Sequence, residues 1–256
     1  MIQQNKRQQD ILNILNEHSY ITVHELSKQL NVSLVTIRKD LTLLEQQQYL
    51  YRTHGGASIK PRYAFERNVS EKESINVEQK IKIAKKAVSF INDNDFIILA
   101  SGTTIHYLAR NIADFKNLTI LTSSLRVSLE MCNKENINII QLGGEVRKSS
   151  TSVIGSVSEA ILKDFACNKL FLGVDGIDYH FGISTSNAAE AHLNKLMVET
   201  ANKIYVLADS SKINKRGFGK ICNLDQIDVL ITDSGIEADD VKKLEDAGID
   251  VRVATL

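Results

Sequence analysis

The sequence predicts an α/β protein in which an N-terminal winged helix-turn-helix domain is followed by an open, mostly parallel, Rossmann-like α/β sheet. The first observation is a change of character near residue 60, where short amphipathic segments rich in Gln and Leu give way to Ile, Val and Leu runs. The second is that these runs are apolar on successive residues and alternate with helical patterns. Strands buried on both faces of a parallel sheet have this pattern.

A polar segment around the single proline, Pro61, marks the boundary between the two parts. A helix cannot continue through this proline, and polar segments of this kind commonly connect domains. We therefore predict a winged helix-turn-helix domain over residues 1–58, a linker over 59–73 and an α/β domain over 74–256.

Composition limits the classes of function open to this chain. Of its 256 residues, 43% are hydrophobic and 24% are charged, which excludes a mainly disordered protein. The 31 Lys and Arg balance the 31 Asp and Glu, so a nucleic-acid surface has to be a local patch. The start of the chain has no signal-peptide core, and no apolar run approaches the ~20 residues of a membrane span. We therefore expect a cytoplasmic protein without a membrane partner.

The cysteines and histidines do not predict a metal site. Cys132, Cys167 and Cys222 are far apart and never in a CxxC spacing, which argues against a disulfide framework and against structural zinc. We expect all three to be reduced and buried. The histidines show no ligand spacing such as HExxH.

Two short helices joined by a tight turn are predicted in the first domain. Thr22 can cap the first helix, because Glu25 three residues later can reach back to the Thr22 amide. Asn31 tolerates the left-handed conformation of a turn, and Ser33 can cap the second helix. A hairpin with two adjacent glycines in its turn follows over residues 49–59 and is predicted to form a wing.

The second helix carries the side chains of a DNA-reading helix on its outward face. Ile37, Leu41 and Leu44 share one side, while the opposite side carries hydroxyls, cations and a valine. Arg and Lys can donate to guanine or phosphate, and Thr and Val can contact thymine methyl groups. A merely solvated amphipathic helix is the alternative, and the neighbouring helix and hairpin argue against it. The predicted DNA-binding residues are Ser33, Val35, Thr36, Arg38, Lys39, Thr42, Arg52 and His54.

Seven strands with connecting helices are predicted for the second domain. The strand runs are 96–100, 118–122, 137–142, 169–174, 203–208, 229–232 and 251–253. Helical patterns separate them at about 103–113, 124–134, 156–165, 187–201 and 237–247. A further amphipathic helix is predicted over about 74–92, with a stripe formed by Val77, Ile81, Ala84, Val88 and Ile91.

Polar or glycine-rich residues follow the predicted strands at their carboxyl ends, which line one crevice of an open α/β sheet. The run 101–104 enters a helix directly, so backbone amides, hydroxyls and the positive helix end suit a phosphate. Such a turn also occurs without a ligand, and the convergence of several loops is the stronger observation. Lys212 offers a charge for phosphate, while Asp175 and Asp178 accept sugar hydroxyls or cap their own loops. The candidate residues are Ser101, Gly102, Thr103, Thr104, Ser123, Ser124, Gly143, Gly144, Asp175, Asp178 and Lys212.

Several segments together resemble DeoR-type bacterial transcription regulators. In the first domain they are Arg7, Ile11-Leu12, Glu25-Leu26-Ser27, 32–41, Leu44-Glu45 and 54–57. In the second, residues 75–235 resemble the C-terminal effector domain of that family, which is similar to ribose-5-phosphate isomerase. The resemblance implies a repressor of a sugar-metabolism operon that binds double-stranded operator DNA as a homo-oligomer, either a dimer or a tetramer. It also implies control by a phosphorylated sugar effector, bound at the residues above, with no further cofactor.

Enzyme activity is the main competing hypothesis. An isomerase needs a base and an acid beside a sugar carbonyl, and Asp175, Asp178 and Glu190 are candidate carboxylates. However, residues 179–185 lack the lysine that the isomerases carry after their paired aspartates. We therefore predict no enzyme activity and no catalytic residue. Two alternatives stay open: a sugar-phosphate isomerase or deaminase with an accessory DNA-binding module, and a constitutive DNA-binding protein with a ligand-free dimerisation domain.

Overall fold

A computed structural model describes residues 6–18, 20–47, 49–53, 55–58, 67–113 and 115–255. The chain divides into two compact units, Met1–Arg62 and Tyr63–Leu256. Most of the predicted linker, residues 59–66, lies outside the described residues. Within the described ranges, no helix combines the length and the apolar character that crossing a membrane requires.

The first unit is a winged helix-turn-helix, as predicted. Its elements in chain order are α1 (Lys6–His18), β1 (Tyr20–Thr22), α2 (Val23–Gln29), α3 (Leu34–Gln46), β2 (Tyr51–Thr53) and β3 (Gly56–Ser58). The three strands form an antiparallel sheet in the order β1-β3-β2. Ile11, Leu15, Leu26, Ile37 and Leu41 are fully buried in the core of this unit.

Local sequence signals start both helices of the motif. Thr22 Oγ1 accepts from the Glu25 amide at 3.1 Å, and Glu25 Oε2 accepts from the Thr22 amide at 2.8 Å, which is the predicted capping box. Asn31 has a φ of 52° in the turn between α2 and α3. Ser33 Oγ accepts from the Thr36 amide at 3.2 Å and so caps α3. These capping predictions are confirmed.

The second unit contains a seven-stranded parallel sheet, as predicted, in the strand order β15-β14-β12-β9-β4-β5-β6. Its helices are α4 (Val69–Glu73), α5 (Val77–Val88), α6 (Thr103–Asn111), α7 (Leu125–Met131), α8 (Ser156–Leu162), α9 (Ala188–Thr200) and α10 (Ala238–Asp246). Its strands are β4 (Phe96–Leu99), β5 (Leu118–Thr122), β6 (Ile137–Gln141), β7 (Glu145–Arg147), β8 (Ser152–Ile154), β9 (Cys167–Gly173), β10 (Gly176–Asp178), β11 (Gly182–Thr185), β12 (Ala201–Leu207), β13 (Gly219–Cys222), β14 (Val229–Asp233) and β15 (Asp250–Ala254).

Both faces of the parallel sheet are buried, which explains the apolar runs. Ile97 and Leu99 of β4 belong to one hydrophobic cluster, together with Ile83 of α5. Ile98, between them in the chain, belongs to the other cluster, together with Met197 of α9. Because successive side chains of a strand point to opposite faces, both faces of β4 require apolar residues.

In the second unit, five short strands are not predicted by the sequence patterns. β7 and β8 form an antiparallel hairpin, and β10, β11 and β13 form a small antiparallel sheet. Each is only three or four residues long, so an alternation of apolar and polar residues does not stand out. These strands nevertheless carry residues of the site described below.

The helix predicted over 74–92 is wrong at its start and too long at its end. Asn76 has a left-handed φ of 51°, so α5 begins at Val77, and it ends at Val88. Of the predicted stripe, Ala84 and Ile91 are buried and Val88 packs against the same cluster, whereas Val77 and Ile81 are only half-buried. The other buried side chains of α5 are Lys80, Ile83 and Ala87. The predicted linker 59–73 is also too long, because residues 69–73 form helix α4 of the second unit.

The cysteine prediction is partly wrong. Cys167 and Cys222 are buried, and burial raises their pKa to about 11 and about 12, respectively. Cys132 is exposed, because it lies just beyond the C-terminal end of α7, whose last buried residue is Met131.

Candidate functional site: an exposed helix face and a polar crevice

The outward face of α3 presents unpaired side chains to solvent. Val35 is 62% exposed, and Arg38 and Lys39 are exposed beside it. Among the described residues, neither the Arg38 guanidinium nor the Lys39 ammonium has a hydrogen bond or an ion pair. These two cations are therefore available to a polyanion.

Other predicted residues of this surface are bound to one another. Thr42 Oγ1 donates to the Arg38 carbonyl at 2.8 Å and accepts from Arg52 Nη1 at 2.8 Å. The Arg52 amide donates to Glu45 Oε1 at 2.8 Å, which ties strand β2 to α3 a second time. The wing and the exposed helix are thus one connected surface, while the predicted DNA-binding residue His54 lies outside the described residues.

A buried carboxylate that was not among the predicted residues positions α3. Asp40 is 3% exposed and accepts from Arg7 Nε at 2.5 Å and from Gln8 Nε2 at 3.3 Å. The hydrogen bond to Asp40 raises the pKa of the Arg7 guanidinium above its ordinary value. Asp40 therefore holds α3 against α1, on the side away from the exposed face.

In the second unit, the loop after β4 leaves several polar groups unpaired. Gly102 has a φ of 116°, and no heavy atom lies within 4 Å of the place where a Cβ would stand. Within the described part of the chain, the amides of Thr103, Thr104 and Ile105 at the start of α6 have no acceptor. Thr103 and Thr104 are 6% and 8% exposed, and their hydroxyls have no partner among the same residues. Such a group of donors suits an anion.

The neighbouring loops contribute framework contacts. Ser124 Oγ accepts from the Val127 amide at 3.3 Å and caps α7, and the Ser123 carbonyl accepts from the Val153 amide at 2.8 Å. Gly144 has a φ of 140°, and a Cβ there would lie 2.6 Å from both the Ile154 carbonyl oxygen and a serine hydroxyl. Gly143 has more space, since its nearest contacts would be at 3.6 Å. Gly144 is thus required for close packing at this loop.

Asp175, which follows β9, is a fixed negative charge. Lys72 Nζ contacts its Oδ1 at 2.7 Å, and its Oδ2 accepts from Thr185 Oγ1 at 3.1 Å and Ser186 Oγ at 2.8 Å. Burial alone would raise the pKa of Asp175, but the charges of Lys72 and Lys212 and these hydrogen bonds outweigh it. They lower the pKa of Asp175 to about 2.

Asp178 and Lys212 differ in their surroundings. Asp178 Oδ1 accepts from the amides of His180 at 3.0 Å and Phe181 at 2.8 Å, and from Arg216 Nη2 at 2.8 Å. This is the loop-capping role named above as the alternative for this residue. Lys212 ends a short 3-10 helix after β12, and its ammonium has no hydrogen bond or ion pair to any described residue.

A second charged pair was not predicted as part of the crevice. Glu190 of α9 accepts from Ser101 Oγ at 2.6 Å and from Arg147 Nη1 at 3.2 Å. The Arg147 and Glu190 side chains are 10% and 13% exposed. Sequence reasoning named Glu190 only as a possible catalytic carboxylate, and neither Arg147 nor Lys72 has a local signal, because their partners are distant in the chain.

The crevice therefore combines an open donor cluster with hydrogen-bonded carboxylates, one of which, Asp175, has a lowered pKa. This arrangement can bind an anion and accept hydroxyl groups. Among the described residues, no group of three or more His, Cys, Asp or Glu is placed to hold a metal ion.

Comparison with known proteins agrees with both units. Residues 7–62 match the DeoR-like helix-turn-helix domain, and residues 75–234 match the DeoR C terminal sensor domain. The HTH-type transcriptional regulator YulB of Bacillus subtilis is 40% identical over 98% of this chain and 97% of its own. The lactose phosphotransferase system repressor of Staphylococcus epidermidis is 32% identical over 89% of this chain and 91% of its own.

Among solved structures, a ribose 5-phosphate isomerase from Methanocaldococcus jannaschii is 19% identical, covers 54% of this chain and 55% of its own, and has a TM-score of 0.39. The sequence matches, by contrast, extend over nearly the whole chain. They show that this protein belongs to the DeoR family of transcriptional regulators.

Proposed function

We propose that this regulator represses a sugar-metabolism operon by binding double-stranded operator DNA, and that a phosphorylated sugar bound in the crevice controls it. The proposal rests on two surfaces, one on each unit, that present polar groups without partners among the described residues. One is the exposed face of α3, and the other is the donor cluster at the start of α6. The name of the Staphylococcus relative, a repressor of a sugar phosphotransferase system, supports a role linked to sugars.

The face of α3 has the chemistry for reading a major groove. The Arg38 guanidinium can donate to guanine O6 and N7 or to phosphate, and the Lys39 ammonium can do so as a point charge. The Val35 side chain can contact a thymine methyl group. Because the chain has no net charge, we expect affinity to depend on two or four copies bound to symmetric half-sites, hence a dimer or tetramer.

The crevice has the chemistry for a sugar phosphate. The phosphate would bind to the free amides of α6, the hydroxyls of Thr103 and Thr104 and the Lys212 ammonium. The Asp175 carboxylate would accept a hydroxyl of the sugar. Among the remaining predicted residues, Ser123, Ser124 and the two glycines shape the loops that surround the ligand.

Catalysis is not part of this proposal. Asp175 holds no proton near neutral pH, and both of its oxygens are hydrogen-bonded, so it is a poor general acid. Asp178 is bound to its own loop and to Arg216. We therefore expect no turnover of aldose or ketose phosphates. An isomerisation rate that depended on either aspartate would favour the enzyme hypothesis instead.

Calorimetric titration tests the effector site directly. We expect ribose 5-phosphate, fructose 1-phosphate or glucose 6-phosphate to bind the full-length protein, and the unphosphorylated sugars not to bind. Thr103→Val should weaken binding about tenfold, the effect of losing one hydrogen bond to a charged group.

The matched control is Thr232→Val, which makes the same change in β14 of the same unit, at a hydroxyl without a partner among the described residues. It should bind the sugar phosphate like the wild type. Equal weakening in both variants would contradict the assignment of Thr103. Absence of binding by any sugar phosphate would favour a constitutive DNA-binding protein.

A further inference from the structure

Residues 69–76, which comprise α4 and the turn before α5, bond to segments that follow four different strands of the second unit. We call these residues the strap. The strap contacts are Val69 N to Ser149 O at 2.7 Å, Lys72 Nζ to Asp175 Oδ1 at 2.7 Å, Arg126 Nη2 to Glu73 Oε1 at 2.7 Å, and Asn76 Nδ2 to Asp209 Oδ1 at 2.9 Å. The partners follow β7, β9, β5 and β12, respectively. The strap therefore lies along the same edge of the sheet as the crevice.

The strap contacts named above are polar, and α4 adds no fully buried side chain to them. This helix has no buried residue, whereas α5 buries Ile83, Ala84 and Ala87 completely. The side chains of Lys72 and Glu73 keep 26% and 32% of their surface exposed, so water can compete for both ion pairs. Segments with few buried apolar contacts open more readily than the core that supports them. The strap is thus held more weakly than α5.

Asn76 and Lys80 connect the strap to α5. Asn76 supplies the left-handed turn, and Lys80, the first buried residue of α5, reaches back to the strap. Its ammonium donates to the carbonyl oxygens of Lys72 and, at 2.6 Å, of Ile75. Burial lowers the pKa of Lys80 to about 8. Lys80 therefore positions the end of α4 from which Lys72 reaches Asp175.

The contact between Lys72 and Asp175 connects the strap to the ligand. Oδ2 of Asp175 is held by Thr185 and Ser186, whose hydroxyls and one amide donate to it. Oδ1 is bound by Lys72 on the strap. Asp175 is 6% exposed, so a sugar hydroxyl that donates to Oδ1 has to approach through the space that Lys72 occupies.

We propose that the strap closes the effector crevice, and that the phosphorylated sugar and Lys72 compete for Asp175. This inference rests on the effector function proposed above. A ligand that binds only when the strap is open shifts the population towards the open form. The strap is the described helical segment of the second unit nearest in sequence to the DNA-binding unit.

Hydrogen exchange measured by mass spectrometry on the full-length protein tests the proposal. The probes are ribose 5-phosphate, fructose 1-phosphate and glucose 6-phosphate. In the wild type, we expect the sugar phosphate that binds to speed exchange at residues 69–76 and to leave α5 unchanged.

Two variants open the strap from different sides. Lys72→Gln removes the contact with Asp175, and Glu73→Gln removes the contact with Arg126 without touching Asp175. Both should speed exchange of the strap and tighten sugar-phosphate binding by about two- to fivefold, the effect of one partly exposed ion pair. Lys85→Gln, on the exposed side of α5, is the matched control and should change neither quantity.

The outcomes separate this inference from the function on which it rests. Binding of a sugar phosphate with slower or unchanged exchange of the strap would overturn the inference alone. So would weaker binding by Lys72→Gln with no change by Glu73→Gln, because Lys72 would then be a ligand of the effector. If the wild type binds none of the sugar phosphates, the effector function fails and the inference fails with it.

Discussion

Replacing threonine by valine at two places in the parallel sheet should change stability in opposite directions. Thr122 ends β5 and Thr232 lies in β14, and both side chains are fully buried. Thr122 Oγ1 donates to the Leu99 carbonyl at 2.6 Å and accepts from the Ser124 amide at 3.0 Å. Thr232 Oγ1 is buried without a hydrogen-bond partner among the described residues. The same chemical change therefore removes two hydrogen bonds at one site and none at the other.

The expected magnitudes follow from the cost of burying polar groups. Thr122→Val leaves the Ser124 amide and the Leu99 carbonyl unpaired in the interior, which should lower the free energy of unfolding by about 1–3 kcal/mol. Thr232→Val removes an unpaired hydroxyl and should raise it by about 1 kcal/mol. Valine and threonine have similar shape and similar preference for strands, so these terms cancel between the two variants.

Thermal unfolding followed by circular dichroism is the assay, because the chain has no tryptophan for fluorescence. For a unit of this size, 1 kcal/mol corresponds to about 2–4 °C in Tm. The two variants should therefore differ by at least about 4 °C, with wild type between them. If Thr232→Val lowered Tm as much as Thr122→Val, the Thr232 hydroxyl would have a partner, and the reasoning from hydrogen bonds would be refuted.

Three further predictions concern the two sites. Arg38→Ala should weaken binding to operator DNA selected in vitro by about tenfold or more, whereas Lys28→Ala on α2 should leave the affinity unchanged. If gel shifts at fixed salt showed the same loss of affinity for both variants, Arg38 would not be a DNA-reading residue. Gly144→Ala should lower the Tm of the second unit, because its Cβ would stand 2.6 Å from the Ile154 carbonyl oxygen; an unchanged Tm would contradict the close packing. The pKa of Asp175 is lowered from 3.8 to about 2, so its ionised form contributes about 2 kcal/mol of stability that is present above pH 4 and lost as pH falls through 2. Acid denaturation should show the stability difference between wild type and Asp175→Asn shrinking over that window, and a constant difference would refute the pKa.

Elements with a strong periodic pattern could be predicted from the sequence. The strands of the parallel sheet were predictable because both faces are buried, which leaves runs such as Ile97-Ile98-Leu99 without a polar interruption. The capping box at Thr22 was predictable because it depends on residues only three apart. The loop at 101–104 was predictable for the same reason, since strand, glycine and helix follow one another directly.

Contacts between distant residues could not be predicted. Lys72 and Asp175 are 103 residues apart, and Arg147 and Glu190 are 43 apart, so no spacing rule connects them. Both cations lie in polar segments without periodicity. The role of Gly144 could not be predicted either. Its position after a strand suggested a phosphate loop, but the structure shows that the missing side chain lets the Ile154 carbonyl and the Ser158 hydroxyl approach closely.

The bond from Arg52 to Thr42 bears on how operator preference can diverge among relatives of this protein. A substitution at position 42 would alter the DNA contact and at the same time release the wing from α3. Three exposed side chains of α3 make no hydrogen bond or ion pair to any described residue, namely those of Val35, Arg38 and Lys39. They can therefore be exchanged without cost to the fold. New DNA specificities should therefore arise first at these three positions, and changes at position 42 should require a compensating change at position 52.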